Sequence, residues 1–273
     1  MLLGALVSAA IVLVLIVGLD RLRRQVLTQK VPAVHKVVLA DRPAWLDDSA
    51  AQEICQAALE VVRENPIDEK LAEKVAVRLA KNIWVTRMEP TAIVNNYDGS
   101  VTIRCEFRQP LAMVSSPKVL VRVGRDGLVL PGRFLRTAVR VGQYRQILGV
   151  DSEPPVAGKV WNAPDLLAGV ELLKLIEGHP FSKEITAIDV SNYRGRSNVA
   201  KPHIVMITDK QSFIYWGRAI GTEGPIEVDY KTKLQYLEGL FQRYGSLNNL
   251  VYADLRGRIV SGKLRDGKQV SSR

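Results

Sequence analysis

The chain has 273 residues, 47% hydrophobic and 24% charged, with 38 Lys+Arg against 28 Asp+Glu and a formal net charge of +10. That apolar content excludes an intrinsically disordered chain. Two cysteines exclude a disulfide-dense scaffold and every multi-cysteine zinc or iron–sulfur site. The positive charge admits an anionic partner, but it is unevenly placed. Residues 1–30 carry net +3, 116–160 net +5 and 252–273 net +4, whereas 31–115 carry net −2 and 161–251 balance.

Residues 2–19 contain no charge and twelve Leu, Ile or Val. As a helix they would span about 27 Å, near the roughly 30 Å of a bilayer core. No basic segment precedes the run and no small-x-small cleavage site follows it, so the expectation is an uncleaved membrane anchor. Arg21, Arg23, Arg24 and Lys30 follow it, and by the positive-inside rule alone they would hold the rest of the chain in the cytosol.

A short strand is expected over 37–40. Asp47, Asp48 and Ser49 then offer caps for a helix with Ile54, Ala58, Val61 and Val62 on one face, ended by Asn65-Pro66. Leu71, Val75, Leu79 and Ile83 mark a second helix. Strand runs follow over 84–94 and 101–107, separated by the turn Asn96-Tyr97-Asp98-Gly99. Beyond them Arg133, Arg136, Arg140 and Arg145 stand with no acid between Leu128 and Val150. They are candidates for an anion or membrane-surface contact, with a solvated face of outward arginines as the plain alternative. Aromatic interleaving and nucleic-acid motifs are lacking, so no nucleic acid is expected.

In the C-terminal half, Leu166, Val170, Leu173 and Ile176 make an amphipathic helix stopped by Gly178-His179-Pro180. Strands are expected over 185–190, 203–208 and 213–216. Leu234, Leu237, Phe241 and Tyr244 form a helical stripe stopped by Gly245, before a last strand pair over 252–255 and 258–263.

Chemistry is not announced. His35, His179 and His203 lack metal-ligand spacing, and the glycine-rich stretch 217–224 lacks both the GxGxxG spacing and a P-loop lysine. Asp47/Asp48 and Asp68/Glu69 fall at helix starts, where capping explains them. No catalytic residue, metal or cofactor is expected. Cys55 and Cys105 read as two separate thiols, or as a pair in an oxidising compartment.

Several stretches nevertheless resemble a known family. Ile83-Trp84-Val85, Gly99-Ser100-Val101-Thr102-Ile103 and Phe107-Arg108-Gln109-Pro110-Leu111-Ala112-Met113-Val114 look like a POTRA domain, specifically that of the FtsQ/DivIB proteins of bacterial division. Asp126-Gly127-Leu128-Val129-Leu130 is similar to that family's D-x-G-x-x-L turn, and Tyr252-Ala253-Asp254-Leu255-Arg256 to its late D-L-R strand. The resemblance covers roughly 34–263.

It implies an α+β fold: a single N-terminal transmembrane helix with a basic juxtamembrane segment (1–30), a POTRA-like β-α-α-β-β domain (31–115), a larger mixed β-sheet domain with helices (116–263) and a basic tail (264–273). It further implies a non-enzymatic divisome scaffold at the septum. Such a scaffold would be anchored in the cytoplasmic membrane through residues 2–19, with its domains extracytoplasmic and FtsB/DivIC-like and FtsL-like coiled-coil proteins as partners. A partner segment would pair with the last strand, placing Gly257, Arg258, Ile259, Val260, Ser261 and Gly262 on the candidate edge. The alternatives are a POTRA-type module of envelope protein assembly or secretion, and an envelope enzyme acting on peptidoglycan.

Overall fold

A computed structural model describes Gly18, Arg21 and residues 36–64, 70–96, 98–115, 119–134 and 144–270. The chain forms two compact units that meet in sequence at Phe107/Arg108.

The first unit begins with β1 (Lys36–Leu39), α1 (Asp48–Glu64) and α2 (Leu71–Leu79). Asp47 caps α1 by accepting the Ala50 amide at 2.8 Å. Ile54, Ala58 and Val62 of α1 and Leu71, Val75 and Leu79 of α2 are buried with Trp84, Val101 and Ile103. These positions of the expected stripes are therefore the core faces, whereas Ile83, expected to continue α2, lies beyond its end at Leu79. Each expected strand run is cut in two. Pro90 opens a 3-10 turn that separates β2 (Val85–Arg87) from β3 (Ile93–Asn95), because proline cannot donate to the ladder. Arg104-Cys105 likewise separates β4 (Ser100–Ile103) from β5 (Glu106–Phe107). β4 lies at the centre of a three-stranded sheet, parallel to β1 and antiparallel to β3, while β2 and β5 pair separately.

The second unit holds β6 (Ala112–Ser115), β7 (Leu120–Val123), β8 (Val129–Phe134), β9 (Gln146–Leu148), α3 (Pro164–Ile176), β10 (Ile185–Asp189), β11 (Ile204–Thr208), β12 (Phe213–Gly217), α4 (Tyr230–Tyr244), β13 (Leu250–Asp254) and β14 (Ser261–Leu264). Nine of these elements form one sheet in the order β14-β13-β12-β11-β10-β9-β6-β7-β8. The parallel pairs β9/β10 and β12/β13 are bridged by α3 and α4, as parallel neighbours require a crossover. Leu166, Leu172, Leu173 and Ile176 of α3 and Leu237 and Leu240 of α4 share a core with Ile147, Ile188, Met206, Ile214 and Ala253. Asp229 caps α4 by accepting the Thr232 amide at 2.9 Å, and Gly245 ends it in the left-handed region.

Several expectations are corrected here. The single transmembrane helix is not supported: no helix among the described residues is long and apolar enough to cross a membrane. The longest, α1, has 17 residues and carries a polar face, where about 20 mainly apolar residues are needed. Residues 2–19, and with them the expected bilayer contact, lie outside the described residues apart from Gly18. Among the described residues the class shown is α+β with four helices and a nine-stranded sheet. Residues 112–115, assigned above to the first domain, pair with β7 and β9 of the second. The last strand pair is displaced: residues 257–260 connect β13 to β14, because Val260 turns into the core at 3% exposure while the Tyr236 hydroxyl donates to the Arg258 carbonyl. Residues 264–270 are no free tail. Gly267 reverses the chain at φ +90°, and Val270 is buried.

Candidate functional site

Four stretches of the second unit converge beside the start of β14: the loop ahead of β11, the end of β12, the strap 218–228, and the β13–β14 connection. They enclose a cleft of about 400 Å³. Lys201, His203, Arg218 and Arg256 line it with the acids Glu227 and Asp254. Around it stand Val199, Ile226 and Ile259, exposed by 83%, 91% and 72%. Single exposed aliphatics are ordinary on a surface, but three from three separate loops around one cationic cleft make a patch that an extended partner can cover.

The loop ahead of β11 is shaped by side chains rather than by regular structure. The Asn192 amide donates to the carbonyls of Asn198, Lys201 and Pro202 and accepts the amides of Ser197 and Asn198 at 2.8–3.2 Å. These bonds hold the loop that carries Val199 and Lys201. Arg196 fastens the same loop to α3. It donates to buried Asp165 at 2.8 Å, to the carbonyls of Ser191 (2.6 Å) and Val190 (2.9 Å), and to that of Gly149.

On the opposite wall, two glycines of the 217–224 stretch act through close approach. A Cβ on Gly217, already at φ +97°, would stand 2.0 Å from Glu227 Oε1, and one on Gly224 would stand 2.9 Å from Arg218 Nη1. Glycine lets the Glu227 carboxylate reach the backbone and the Arg218 guanidinium lie over it. Glu227 Oε1 accepts from the Arg218 amide at 2.8 Å and from Lys233 Nζ at 2.6 Å.

The electrostatics leave the cleft cationic. Arg256 is held by Asp254 through contacts of 2.7 and 2.9 Å, and that bond raises its already high pKa. His203 has its pKa lowered, first by burial and then by Arg218 and Arg256 against the opposing pull of Glu227, and this net shift favours the neutral imidazole. Lys201 and Arg218 remain as the charges an outside anion would meet. A second cleft of about 330 Å³, lined by Tyr193, Arg194 and Thr222, lies across His203 and Arg218.

The edge residues named from sequence divide between roles. Gly257, Ile259 and Ser261 line the cleft, whereas Val260 is core. Gly262 lies in β14, but its outer carbonyl accepts the Val270 amide at 2.9 Å, and the Leu264 amide donates to Lys268 at 2.8 Å. The chain's own return over 268–270 thus occupies the outward groups of β14, and a partner strand would add beyond that return or displace it. Of the four arginines, Arg136 and Arg140 lie outside the described residues. Arg133 is exposed on β8, whereas Arg145 donates inward to the Ser182 carbonyl at 2.9 Å.

Among the described residues no group of three or more His, Cys, Asp or Glu could hold a metal. His179 pairs with Glu238 at 3.0 Å, and His35 lies outside the described residues. Cys55 and Cys105 are free, partly buried thiols. Burial, and secondarily the charge of Cys55, pushes the Cys105 pKa up to about 11.

The cleft, with its open mouth, cationic wall and aliphatic rim, defines a surface suited to an acidic, partly apolar polypeptide segment. No protein-family model matches the sequence, and no curated protein matches it.

Proposed function

We propose that this protein is a non-enzymatic scaffold of bacterial division, resembling FtsQ/DivIB, that holds FtsB/DivIC-like and FtsL-like coiled-coil partners on the extracytoplasmic side of the septum. The observation that carries the reading is the cleft beside β14, where Val199, Ile226 and Ile259 stand exposed around Lys201 and Arg218. An acidic side chain of a partner would pair with these cations while its apolar neighbours cover the rim. An extended segment would gain main-chain hydrogen bonds at the sheet edge by adding beyond the 268–270 return or by displacing it. Partner recognition of this kind needs no reacting group. The sequence motifs shared with the family supply the divisome assignment, and the cleft supplies the mode of binding.

The test is imaging of fluorescent coiled-coil partners in dividing cells that express the chain with Arg218→Glu. Partner signal should leave the septum while the variant itself stays folded and present. Undiminished septal recruitment with Arg218→Glu would rule out the cleft as the docking site. A uniformly distributed wild-type fusion would rule out the divisome role.

A further inference from the structure

Lys233 is the one lysine among the described residues with no exposed side-chain surface, and its ammonium points away from solvent toward the underside of the cleft. It sits in the first turn of α4, with Nζ 5.0 Å from the centre of the Trp216 ring and 2.6 Å from Glu227 Oε1. Burying an ammonium is costly, and a merely structural position would be filled more cheaply by an apolar side chain. The position of its partner suggests what the charge does. Glu227 is 11% exposed and lies between two cations: Lys233 below, and Arg218 above with Nε 3.9 Å from Oε2. Asp254, the other acid on the wall, is engaged by Arg256. Glu227 is therefore the group able to cancel Arg218.

We propose that Lys233 is a positioning residue for the binding cleft: by neutralising and holding Glu227 from beneath, it leaves the Arg218 guanidinium available to an acidic side chain of the partner. This rests on the reading that the cleft takes an acidic segment. Without Lys233 the Glu227 carboxylate turns its charge toward Arg218, 3.9 Å away. The cleft wall then loses one unit of positive charge with no surface residue altered. The same contact orders the strap, because Glu227 also accepts the Arg218 amide, and the next residue, Val228, donates to the Arg256 carbonyl at 3.0 Å. Charge and shape of the cleft thus depend on one buried ammonium.

The test uses the purified full chain and, as probe, a labelled peptide of alternating valine and glutamate, followed by fluorescence anisotropy at low salt. Wild type should bind, and Lys233→Met should bind about tenfold more weakly, the effect of one unit charge in a partly solvated cleft. The double variant Lys233→Met with Glu227→Gln removes both charges and keeps an acceptor for the Arg218 amide. It should recover most of the lost affinity. Circular dichroism establishes that each variant is folded, and the double variant, with no unpaired buried charge, keeps the comparison available where Lys233→Met alone unfolds: affinity far below wild type in the folded double variant overturns the proposal. Full affinity in folded Lys233→Met overturns it as well, while leaving the acidic-partner reading intact. A wild-type chain that ignores the peptide removes that parent reading, and this inference with it.

Discussion

Asp165→Ala should destabilise the second unit by about 3 kcal/mol. Asp165 is 4% exposed at the start of α3, where it accepts the amides of Asp151 and Leu166 at 2.9 Å and Arg196 Nη1 at 2.8 Å. Truncation leaves the Asp151 amide without its acceptor, which costs roughly 1–3 kcal/mol. It also removes a negative charge from a helix start, worth about 0.3–1 kcal/mol. Losing a partner of a buried ion pair costs roughly 3–5 kcal/mol, but here that figure must be reduced. The Arg196 side chain is 28% exposed and keeps its three carbonyl partners, so about 1 kcal/mol is appropriate. The sum corresponds to a fall in Tm of roughly 6–12 °C for a unit of this size. Asp165→Asn retains an acceptor for the Asp151 amide and should cost only about 1 kcal/mol. Urea titration followed by tryptophan fluorescence measures both, with Trp161 and Trp216 reporting on this unit. A loss below about 1 kcal/mol for Asp165→Ala would refute the claim that this carboxylate ties α3 to the loop presenting Val199 and Lys201.

Two further expectations concern protons. His203 is held below its ordinary pKa, so the folded state takes up its proton less readily than the unfolded chain does. Its contribution to stability is present above the unfolded value near 6.5 and is lost as pH falls through the folded value. Thermal melts of wild type and His203→Gln should therefore diverge below that pH, and parallel melts from pH 7 to 5 would contradict the assignment. The opposite sign applies to Cys105, whose thiol is favoured up to about pH 11 against 9.0 when unfolded. At pH 8 it should react with a maleimide far more slowly than free cysteine, and stability should decline as pH rises through that window. Rapid labelling of Cys105 in the folded chain, read by peptide mass spectrometry, would contradict its burial.

The helices were legible because their periodicity reports burial directly. Ile54, Ala58 and Val62, and Leu71, Val75 and Leu79, recur at helical spacing and are the buried faces of α1 and α2. The strands over 185–190, 203–208 and 213–216 are found within a residue or two for the same reason. Strand interruptions at Pro90 and Arg104-Cys105 were less legible, since an apolar run does not show which sheet each part joins. The cleft as a whole escaped, although Gly257, Ile259 and Ser261 of the edge stretch that the resemblance implied do line it. Its residues lie between positions 199 and 261, and nothing periodic links them. A further local signal was the glycine-rich 217–224 stretch. The use of its glycines, to admit Glu227 and Arg218 against the backbone, depends on contacts distant in sequence.

Composition and patterning by themselves determined the apolar stripes of the helices, the approximate strand runs, and the clustering of the +10 charge rather than its even spread. Tertiary structure alone decided which of those charges face outward together. Arg145 turns inward to a carbonyl and Lys233 vanishes beneath Trp216, while Lys201 and Arg218, both from the 161–251 segment that sequence reads as balanced, face one cleft. Tertiary structure also decided that β14 is shielded by residues 268–270. The physical reason is common to all of these: local sequence sets backbone propensity and which face is apolar, whereas the neighbours of a polar group are set by where the chain returns.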